Sequence, residues 1–573
     1  MPVEAYALAP DGARVDGFAF DGTRVTWTGD APVEAGIRFE LELPPDGDPD
    51  WLVPGVFYGE NRTAECTRIY PRFTPDGVDV ERMESNAWSF RADRCATPAV
   101  FAGDRGLATG ETSPLGQAGV GFALRDGRPV VWLDFPYREE PLRYDGSEAP
   151  APRDVRTHIW QPGERVELDV REVDRGATRP GEPFEDNAWV SVEEAAALAA
   201  HGLHRWHYRA DPPRLIETAA FDRDGVGERG DRDHMHVSWV SGAPFAYALL
   251  QHGRRVGNRG YVDAAEAVLD HVAANLAPGG TFWAQWTVER GWTTGWHPDR
   301  TRLHARTLAD AALFMLRAGG RWADVGRANA AVAVRTQRED GALPSAHHVE
   351  TGDAVSFEGT AGVSWIPALV AAGERDAARR AGDHYRRLDR WCGAPEDVDL
   401  APTSEDGCAA VMAFVALEDW DAATRAADWL LTFRYTYDVD FPETTLLGRY
   451  GFRTRGADQA SPANQHLHAY GLICLPEMIR LSRATGDPTY ERSALENLAC
   501  FRQLIARADG DFGAWRGMAP ERIHQTDCFQ AKGMIGTLSH AWSVGVLLYA
   551  CEEILGNARP KLASGELRTG VSS

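Results

Sequence analysis

The chain has 573 residues, more than one hydrophobic core usually supports, so we expect two domains or a large repeat domain with a second domain attached. Asp and Glu number 84 against 60 Lys and Arg, for a formal net charge of −24. A chain this acidic repels phosphate groups, which argues against nucleic-acid and membrane-surface partners. No apolar run approaches the ~18 residues of a membrane span, and the N-terminus has no signal-peptide pattern, so we expect a cytoplasmic protein.

The eight cysteines are widely spaced, and no two of them form a CxxC pair. The sequence therefore contains neither a zinc-ribbon motif nor a thioredoxin-type motif. Several cysteines lie in apolar helical patterns, where a thiol serves as a small core side chain. We expect reduced thiols.

Residues 1–175 show the short alternating apolar runs of β-strands, for example at 24–29, 37–44, 120–137 and 165–173. The dipeptide Asp126-Gly127 separates two apolar runs and strongly indicates a β-hairpin. These patterns predict an N-terminal antiparallel β-sandwich.

A polar segment rich in Pro, Gly and Asp follows at 174–186 and has the composition of a linker. The next pattern is helical, at 191–203, with Ser191 as the expected N-cap and two glutamates in the first turn. We therefore assign 176–215 to a linker with a bridging helix.

From about 216 the chain repeats a helix-opening pattern followed by an alanine-rich helix. The openings lie roughly 45–70 residues apart, which is typical of a repeat architecture. Long loops rich in Trp, His, Asp and Glu alternate with them, so a helix, a turn, a helix and a loop recur about six times. The openings begin at Gly257, Gly320, Gly373, Glu418 and Gly486.

With these openings, and most closely with 485–498 (TGDPTYERSALENL), the sequence resembles the six-hairpin, or (α/α)6-barrel, carbohydrate-active enzymes. The resemblance implies a multidomain α and β fold, in which a supersandwich-like β-sandwich precedes a C-terminal (α/α)6 barrel over 216–573. That domain order resembles glucoamylase-like hydrolases and inverting disaccharide phosphorylases, whereas many toroid polysaccharide lyases carry the sandwich after the helices. The inner helices would then line a cavity with the long loops at one end.

The segment 221–239 is rich in charged side chains and histidines. It contains a GxGxxG pattern at 225–230, but no parallel-sheet unit surrounds it and acidic residues crowd it, so we expect no dinucleotide cofactor. His234 and His236 beside Asp233 suggest either a metal site or sugar-binding and helix-capping side chains. We expect the second, with no metal.

Tryptophans are abundant in the loops that follow. Sugars present flat C–H faces that stack on indole rings, so loop tryptophans suggest a sugar platform, although tryptophan also fills helical cores. The candidates for substrate binding are Trp239, Trp283, Trp286, Trp296 and Trp515.

Glycoside hydrolysis needs two carboxyl groups, about 6.5–9.5 Å apart for inversion or about 5–5.5 Å for retention. We predict Asp233 from the first long loop together with Glu405 or Asp406 from a later one, and Glu358 in reserve. Glu405 and Asp406 open an apolar helix at 408–417, where an ordinary capping role is equally consistent. A helix N-terminus lowers the pKa of a carboxyl group, which suits a base better than an acid.

Arginines and histidines gather in other loops and suggest that the sugar carries an anionic group, because guanidinium groups bind carboxylates in pairs of hydrogen bonds. The further binding candidates are His347, His348, Arg449, Arg453, Asn464, His466 and Tyr470. Ser461 and Pro462 predict the start of a helix through 472, which would place Asn464 and His468 on one face.

These patterns favour an exo-acting glycoside hydrolase for an oligosaccharide with an acidic or otherwise anionic sugar. A lyase is the alternative, since Asn464, His466, Tyr470 and His347 could neutralise a uronate carboxylate and remove the adjacent proton. A non-catalytic glycan-binding protein is a third possibility. A homodimer is compatible with the sequence.

Overall fold

The computed structural model describes residues 3–46, 48–63, 66–146, 149–181, 184, 186–222, 229–388, 390–396, 398 and 400–563, so most of the glycine pattern at 225–230 lies outside the described residues. The described helices, in chain order, are α1 Val192–Gly202, α2 Ala243–Val256, α3 Arg259–Ala274, α4 Ala305–Ala318, α5 Gly320–Thr336, α6 Trp365–Ala372, α7 Arg375–Tyr385, α8 Ser404–Leu417, α9 Trp420–Leu431, α10 Leu446–Arg449, α11 Leu475–Thr485, α12 Pro488–Phe501 and α13 Ala541–Ala563.

The N-terminal 175 residues are built from short β-strands, as the alternating patterns predict. The strands are β1 Glu4–Leu8, β2 Arg14–Val15, β3 Phe18–Asp21, β4 Arg24–Trp27, β5 Val33–Glu42, β6 Trp51–Val53, β7 Phe57–Tyr58, β8 Arg72–Phe73, β9 Glu84–Ser85, β10 Ala87–Arg91, β11 Ala99–Ala102, β12 Arg105–Ala108, β13 Thr112–Ser113, β14 Gly116–Gln117, β15 Gly119–Arg125, β16 Arg128–Phe135, β17 Arg138–Glu139, β18 Asp154–Val155, β19 His158–Trp160, β20 Arg165–Glu167 and β21 Arg171–Asp174.

Two antiparallel sheets of this region enclose one apolar core. The first has the order β10-β15-β16-β5-β1-β2, with β19 also paired to β5, and the second has the order β21-β12-β11-β6-β7. Trp51 of the second sheet stacks on Phe122 of the first, with ring centroids 4.6 Å apart. The hairpin at Asp126-Gly127 is confirmed, because β15 and β16 pair on either side of it and both turn residues have positive φ.

The helices after residue 190 associate in pairs, each pair packing along its own length. The pairs are α2 with α3, α4 with α5, α6 with α7, α8 with α9, α11 with α12, and α13 with α1. One helix of each pair also contacts its counterpart in the next pair, in the cyclic order α2, α4, α6, α8, α11, α13 and back to α2. The helix that the sequence places in a linker, α1, therefore completes the last pair.

We call the six helices of this cycle the inner helices and their partners the outer helices. The openings predicted from the sequence start the outer helices α3, α5, α7, α9 and α12. Polar side chains cap three of these starts: Asn258, Asp419 and Asp487 each accept a hydrogen bond from a backbone N–H of the first turn. The turns that join these five outer helices to their inner partners contain only one or two residues, and the long loops all precede the inner helices.

Small antiparallel sheets shape those long loops. Their strands are β22 Tyr208–Ala210, β23 Pro213–Leu215, β24 Thr218–Asp222, β25 Arg229–Arg232, β26 His234–His236, β27 Gln285–Thr287, β28 Gly291–Thr293, β29 Arg302–His304, β30 Ala346–His348, β31 Ala354–Ser356, β32 Asp458–Gln459, β33 Leu467–His468, β34 Pro520–Ile523 and β35 Ile535–Leu538.

The prediction that a helix starts at Ser461-Pro462 is wrong. Oγ of Ser461 accepts a hydrogen bond of 2.9 Å from the backbone N–H of Asn464, which closes a turn. A strand follows at Leu467–His468, and a 3-10 helix begins only at Ala469. Ser and Pro favour turns as well as helix starts, and here the turn wins.

Within the described residues, no helix has both the length and the apolar character needed to cross a lipid bilayer. Of the eight cysteines, all except Cys392 are buried.

Candidate functional site

A cavity of about 200 Å³ opens where the loops before the inner helices meet. Aromatic, charged and imidazole side chains converge on it from five separate loops. They are Glu217, Arg232, Trp239, Trp296, Glu405, Asn464, His466, Glu521, Arg522, His540 and Trp542. Larger hollows exist on the outer face of the seven-stranded sheet and beside α2 and α13, but neither gathers histidines and tryptophans in this way.

Each carboxylate that lines the cavity is paired with a cation. Glu405 accepts a hydrogen bond from Nη1 of the buried Arg306. Glu217 accepts one of 2.5 Å from Nη1 of Arg232, and Glu521 lies 3.6 Å from Nε of Arg522. Three carboxylates therefore line the cavity, and a guanidinium group lies close to each of them.

Two of these carboxylates, Glu217 and Glu521, have a lowered pKa. Burial raises the pKa of Glu217, but hydrogen bonding and attraction to His540 and Arg232 outweigh burial and lower that pKa to about 2. The pKa of Glu521 is also lowered, because His540 and Arg522 overcome its burial. Neither group can serve as a carboxylic acid near neutral pH.

The two histidines of the cavity differ in their hydrogen bonds. Nδ1 of His540 accepts a hydrogen bond of 3.3 Å from the backbone N–H of Trp542, which leaves Nε2 as the nitrogen that carries a proton. That Nε2 lies 3.8 Å from Oε1 of Glu217. The His466 ring has no hydrogen-bond partner among the described residues, and burial lowers its pKa well below the usual value, so its imidazole is neutral.

Below the cavity, Arg306 is held by aromatic rings. Its guanidinium carbon lies 4.3 Å from the ring centroid of Trp239 and 4.4 Å from that of Tyr470. Nε of Arg306 also lies 3.5 Å from Asp310, whose burial raises its pKa to about 6. The stack fixes the guanidinium under the cavity.

Three buried donors at this floor lack an acceptor among the described residues: Nη2 of Arg306 and the indole nitrogens of Trp239 and Trp542. Their side chains are almost fully enclosed, at 2%, 5% and 7% exposure. A buried N–H without a partner is costly, so an acceptor oxygen placed beside any of these groups would be stabilised. Sugar hydroxyl groups have this chemistry.

Sequence reasoning missed Glu217, Arg232, Arg306, Glu521, Arg522, His540 and Trp542. A repeated tripeptide could have revealed part of this set, since His-Ala precedes Arg306, Tyr470 and Trp542 at the start of three inner helices. In two of them the histidine accepts a hydrogen bond from the backbone N–H of the third residue. The third side chains then meet around the floor, Tyr470 and Trp542 with centroids 5.5 Å apart.

Five of the residues predicted from the sequence line the cavity: Glu405, Trp239, Trp296, Asn464 and His466. Tyr470 and His236 lie directly behind the lining, where the His236 ring stacks under Trp296 at 5.1 Å.

Asp406 is close to the cavity in sequence but does not line it. Oδ1 accepts a hydrogen bond of 2.6 Å from the backbone N–H of Ala394, and Oδ2 accepts one of 2.6 Å from Oγ1 of Thr403. Burial raises the pKa of Asp406 to about 7, so burial overcomes the helix N-terminus that was expected to lower it. These contacts tie the loop before α8 to the helix.

The other predicted residues lie outside the lining. Asp233 is held by two hydrogen bonds of 2.7 Å from Arg214, and Trp515 stacks on Trp206 at 4.9 Å. Arg453 pairs with Asp438. The rest of this set is His234, Trp283, Trp286, His347, His348, Glu358 and Arg449.

Among the residues that the structure describes, no three His, Cys, Asp or Glu side chains are grouped to hold a metal ion. His236 instead uses its ring for protein contacts, since Nδ1 accepts a hydrogen bond from the backbone N–H of Ser238 and Nε2 lies 3.3 Å from Oγ1 of Thr307.

No protein-family model matches the chain, and no curated protein matches it by sequence. Similar solved structures include a D-mannose isomerase, with a TM-score of 0.45, 14% identity, 66% of this chain covered and 100% of that one. A polysaccharide lyase has a TM-score of 0.43 and 9% identity over 96% of this chain and 92% of that one. A family 76 α-mannanase of Bacteroides thetaiotaomicron has a TM-score of 0.42 and 9% identity over 65% of this chain and 98% of that one.

These similar structures are carbohydrate-processing enzymes of different reaction types: isomerases and epimerases, hydrolases and a lyase. At such low identities and TM-scores, the likeness does not discriminate between the reactions. The choice among them has to come from the cavity itself.

Proposed function

We propose that this protein is an enzyme that moves a proton on the carbon next to the carbonyl group of a small neutral sugar, and so isomerises or epimerises it. The observation that carries the proposal is the state of the titratable groups in the cavity. The His466 imidazole is neutral and has no hydrogen-bond partner among the described side chains, whereas the three lining carboxylates are each matched with a cation. Such a site offers a base for a C–H proton.

In the proposed reaction, His466 removes the proton from the carbon adjacent to the carbonyl of the open-chain sugar. The carbonyl oxygen becomes an enediolate oxygen, which accepts hydrogen bonds from Nε2–H of His540 and from Nη2 of Arg306.

The proton then returns from His466 to carbon. Its return to the opposite side of the same carbon, by way of solvent exchange or a turn of the enediolate, gives an epimer. Its return to the neighbouring carbon, with the hydroxyl proton passing between the two oxygens, gives an isomer. Both outcomes conserve the atoms of the sugar, and neither consumes water.

The charge balance of the lining favours a neutral sugar over the anionic one suggested by the loop arginines. Arg232, Arg306 and Arg522 are near Glu217, Glu405 and Glu521 respectively, so these cations and carboxylates are equal in number and give the site no excess positive charge. Binding would come from the unpartnered indole and guanidinium donors, and from Trp296, which is 38% exposed at the mouth.

The test is to incubate the protein in D2O with a panel of neutral aldoses, ketoses and reducing disaccharides, and to follow the C–H protons by NMR. We expect loss of the signal of the proton next to the carbonyl, together with an isomeric product whose mass has risen only by the deuterium gained at carbon. A product heavier by one water, or no exchange with any sugar, would contradict the proposal.

β-Elimination from a small uronate-containing oligosaccharide is the second candidate. Asn464 and Arg522 line the cavity together with His466, and this combination could neutralise a uronate while the base removes the adjacent proton. The unsaturated product absorbs in the ultraviolet, so the same panel extended to uronates separates the two reactions.

Hydrolysis has weaker support. It needs one carboxyl group that stays protonated near neutral pH, and the lowered pKa values of Glu217 and Glu521 work against that role. Asp406 has a raised pKa but lies behind the lining.

We also infer the architecture that holds this site. The two facing sheets form a β-sandwich over about residues 1–175, and the cyclic set of helix pairs forms an (α/α)6 barrel. The barrel extends from α1 to α13, so it includes the helix that the sequence pattern places in the linker.

A further inference from the structure

The segment that carries His466 is held by side chains of the β-sheet region. Three consecutive residues before His466 are each bound by one such side chain. Nη1 of Arg68 donates to Oδ1 of Asn464 at 3.1 Å, and the hydroxyl group of Tyr144 donates to the carbonyl of Ala463 at 2.9 Å. Nη1 of Arg94 donates to Oε1 of Gln465 at 3.0 Å.

Two of the donors, Arg94 and Tyr144, are themselves fixed within the β-sheet region. Arg94 is 1% exposed, and its Nε donates to Oε1 of Glu139 at 2.6 Å. The Tyr144 ring packs against Tyr70, with centroids 6.3 Å apart. A donor whose own rotamer is locked can hold its acceptor within a narrow range of positions.

Apolar contacts reinforce these hydrogen bonds. Ala463 and Val398 belong to the apolar core of the β-sheet region, although both lie in the helical part of the sequence. Val398 also lines the cavity. One wall of the cavity is therefore backed directly by the sheets.

The His466 segment has little support of its own. It lies between a turn closed by Ser461 and the two-residue strand Leu467–His468, and no helix includes it. The His466 imidazole makes no hydrogen bond to a described residue that would orient it. Its position therefore depends on the backbone, which is held by the contacts at residues 463–465 and by a hydrogen bond of 2.9 Å from the N–H of Ala460 to the carbonyl of His466.

We propose that Arg68, Tyr144 and Arg94 are positioning residues for the reaction, and that the β-sheet region serves to hold the base His466 over the substrate. This inference rests on the proposed function for its catalytic consequence. Its structural part, the anchoring of the segment, stands independently. A small displacement of a base from the reacting atom lowers the rate of the chemical step far more than it lowers binding.

The test uses the full-length variants Arg68→Met, Tyr144→Phe and the double variant, with Arg153→Met as the matched control. Arg153 is also in the β-sheet region, but it pairs with Glu140 on the surface, and its side chain is 51% exposed. Amide hydrogen exchange of a peptide spanning 461–468, measured by mass spectrometry, reports the anchoring without any substrate. We expect exchange about tenfold faster in the double variant and unchanged in the control.

For activity, we expect kcat to fall about tenfold in the double variant while KM stays within about twofold, and Arg68→Lys to restore part of the loss. Unchanged exchange of the 461–468 peptide would overturn the anchoring. Faster exchange with unchanged kcat would overturn the positioning role. If the wild-type protein acts on none of the sugars, the proposed reaction fails, and the exchange data alone decide whether the segment is anchored.

Discussion

Nε2 of His540 lies 3.8 Å from Oε1 of Glu217, and both side chains are buried at the edge of the cavity. Arg232 binds the same carboxylate oxygen at 2.5 Å. The carboxylate thus has an imidazole and a guanidinium group beside it, and all three side chains line the cavity. This arrangement predicts a dependence of stability on pH.

Because the folded-state pKa of Glu217 is about 2, below the ordinary value of 4.5, its ionised form stabilises the folded state. That contribution, about 3 kcal/mol, is complete above pH 4.5 and is lost as the pH falls towards 2. We expect Glu217→Gln to flatten the decline in the free energy of unfolding below pH 4.5, measured by urea denaturation. Equal slopes for both proteins would contradict the assignment.

For Asp406 we predict the opposite change of stability with pH. Its folded-state pKa of about 7 lies above the ordinary value of 3.8, so ionisation costs the folded state about 4 kcal/mol, reached progressively between pH 4 and 7. An amide can keep both hydrogen bonds, since its oxygen accepts from Ala394 and its nitrogen donates to Thr403. We expect Asp406→Asn to be more stable than the wild type at pH 8 and nearly as active, whereas a loss of activity of 100-fold or more would make Asp406 catalytic.

His466 carries the proposed proton transfer. We expect His466→Gln to lower the rate of deuterium incorporation at least ~100-fold, with an unchanged circular dichroism spectrum. His348→Gln is the control, because His348 lies outside the cavity and is only partly buried. Retention of more than a tenth of the rate by His466→Gln would exclude the residue as the base.

Trp542 tests the role of the unpartnered donors. Trp542→Phe keeps an aromatic ring beside His468, whose ring centroid is 5.3 Å away, but removes the indole N–H. A lost hydrogen bond of about 1 kcal/mol predicts a rise in KM of about fivefold with little change in kcat. Trp286→Phe, outside the cavity, should leave both constants unchanged, and equal effects of the two substitutions would argue against a donor role.

Much of the secondary structure could be predicted from the sequence because local signals dominate it. The Asp126-Gly127 hairpin and the capped starts of α3, α9 and α12 depend on residues within one turn of each other. The segment after Ser461 could not be predicted, because Ser-Pro fits both a turn and a helix start, and the deciding contacts come from Arg68 and Tyr144, more than 300 residues away.

The site was harder to predict than the fold. Counting loop tryptophans and acids found Trp239, Trp296 and Glu405, but the same count included Asp233 and Trp515, which pair with side chains elsewhere. Arg306 and His540 were missed because they lie at helix starts, where a basic or imidazole side chain resembles an ordinary polar or capping residue. Only their convergence in three dimensions separates them from the other arginines and histidines.

The His-Ala-X tripeptides divide two tasks between neighbouring side chains. At residues 468 and 540 the imidazole secures the backbone at the start of the helical segment, while Tyr470 or Trp542, two positions on, faces the interior. A substitution of the third residue would therefore change the side chain that faces the interior and keep the hydrogen bond between the histidine and the backbone N–H of that residue. In a fold organised in this way, the side chains around the cavity floor can change one residue at a time, while the backbone contacts that position them are kept.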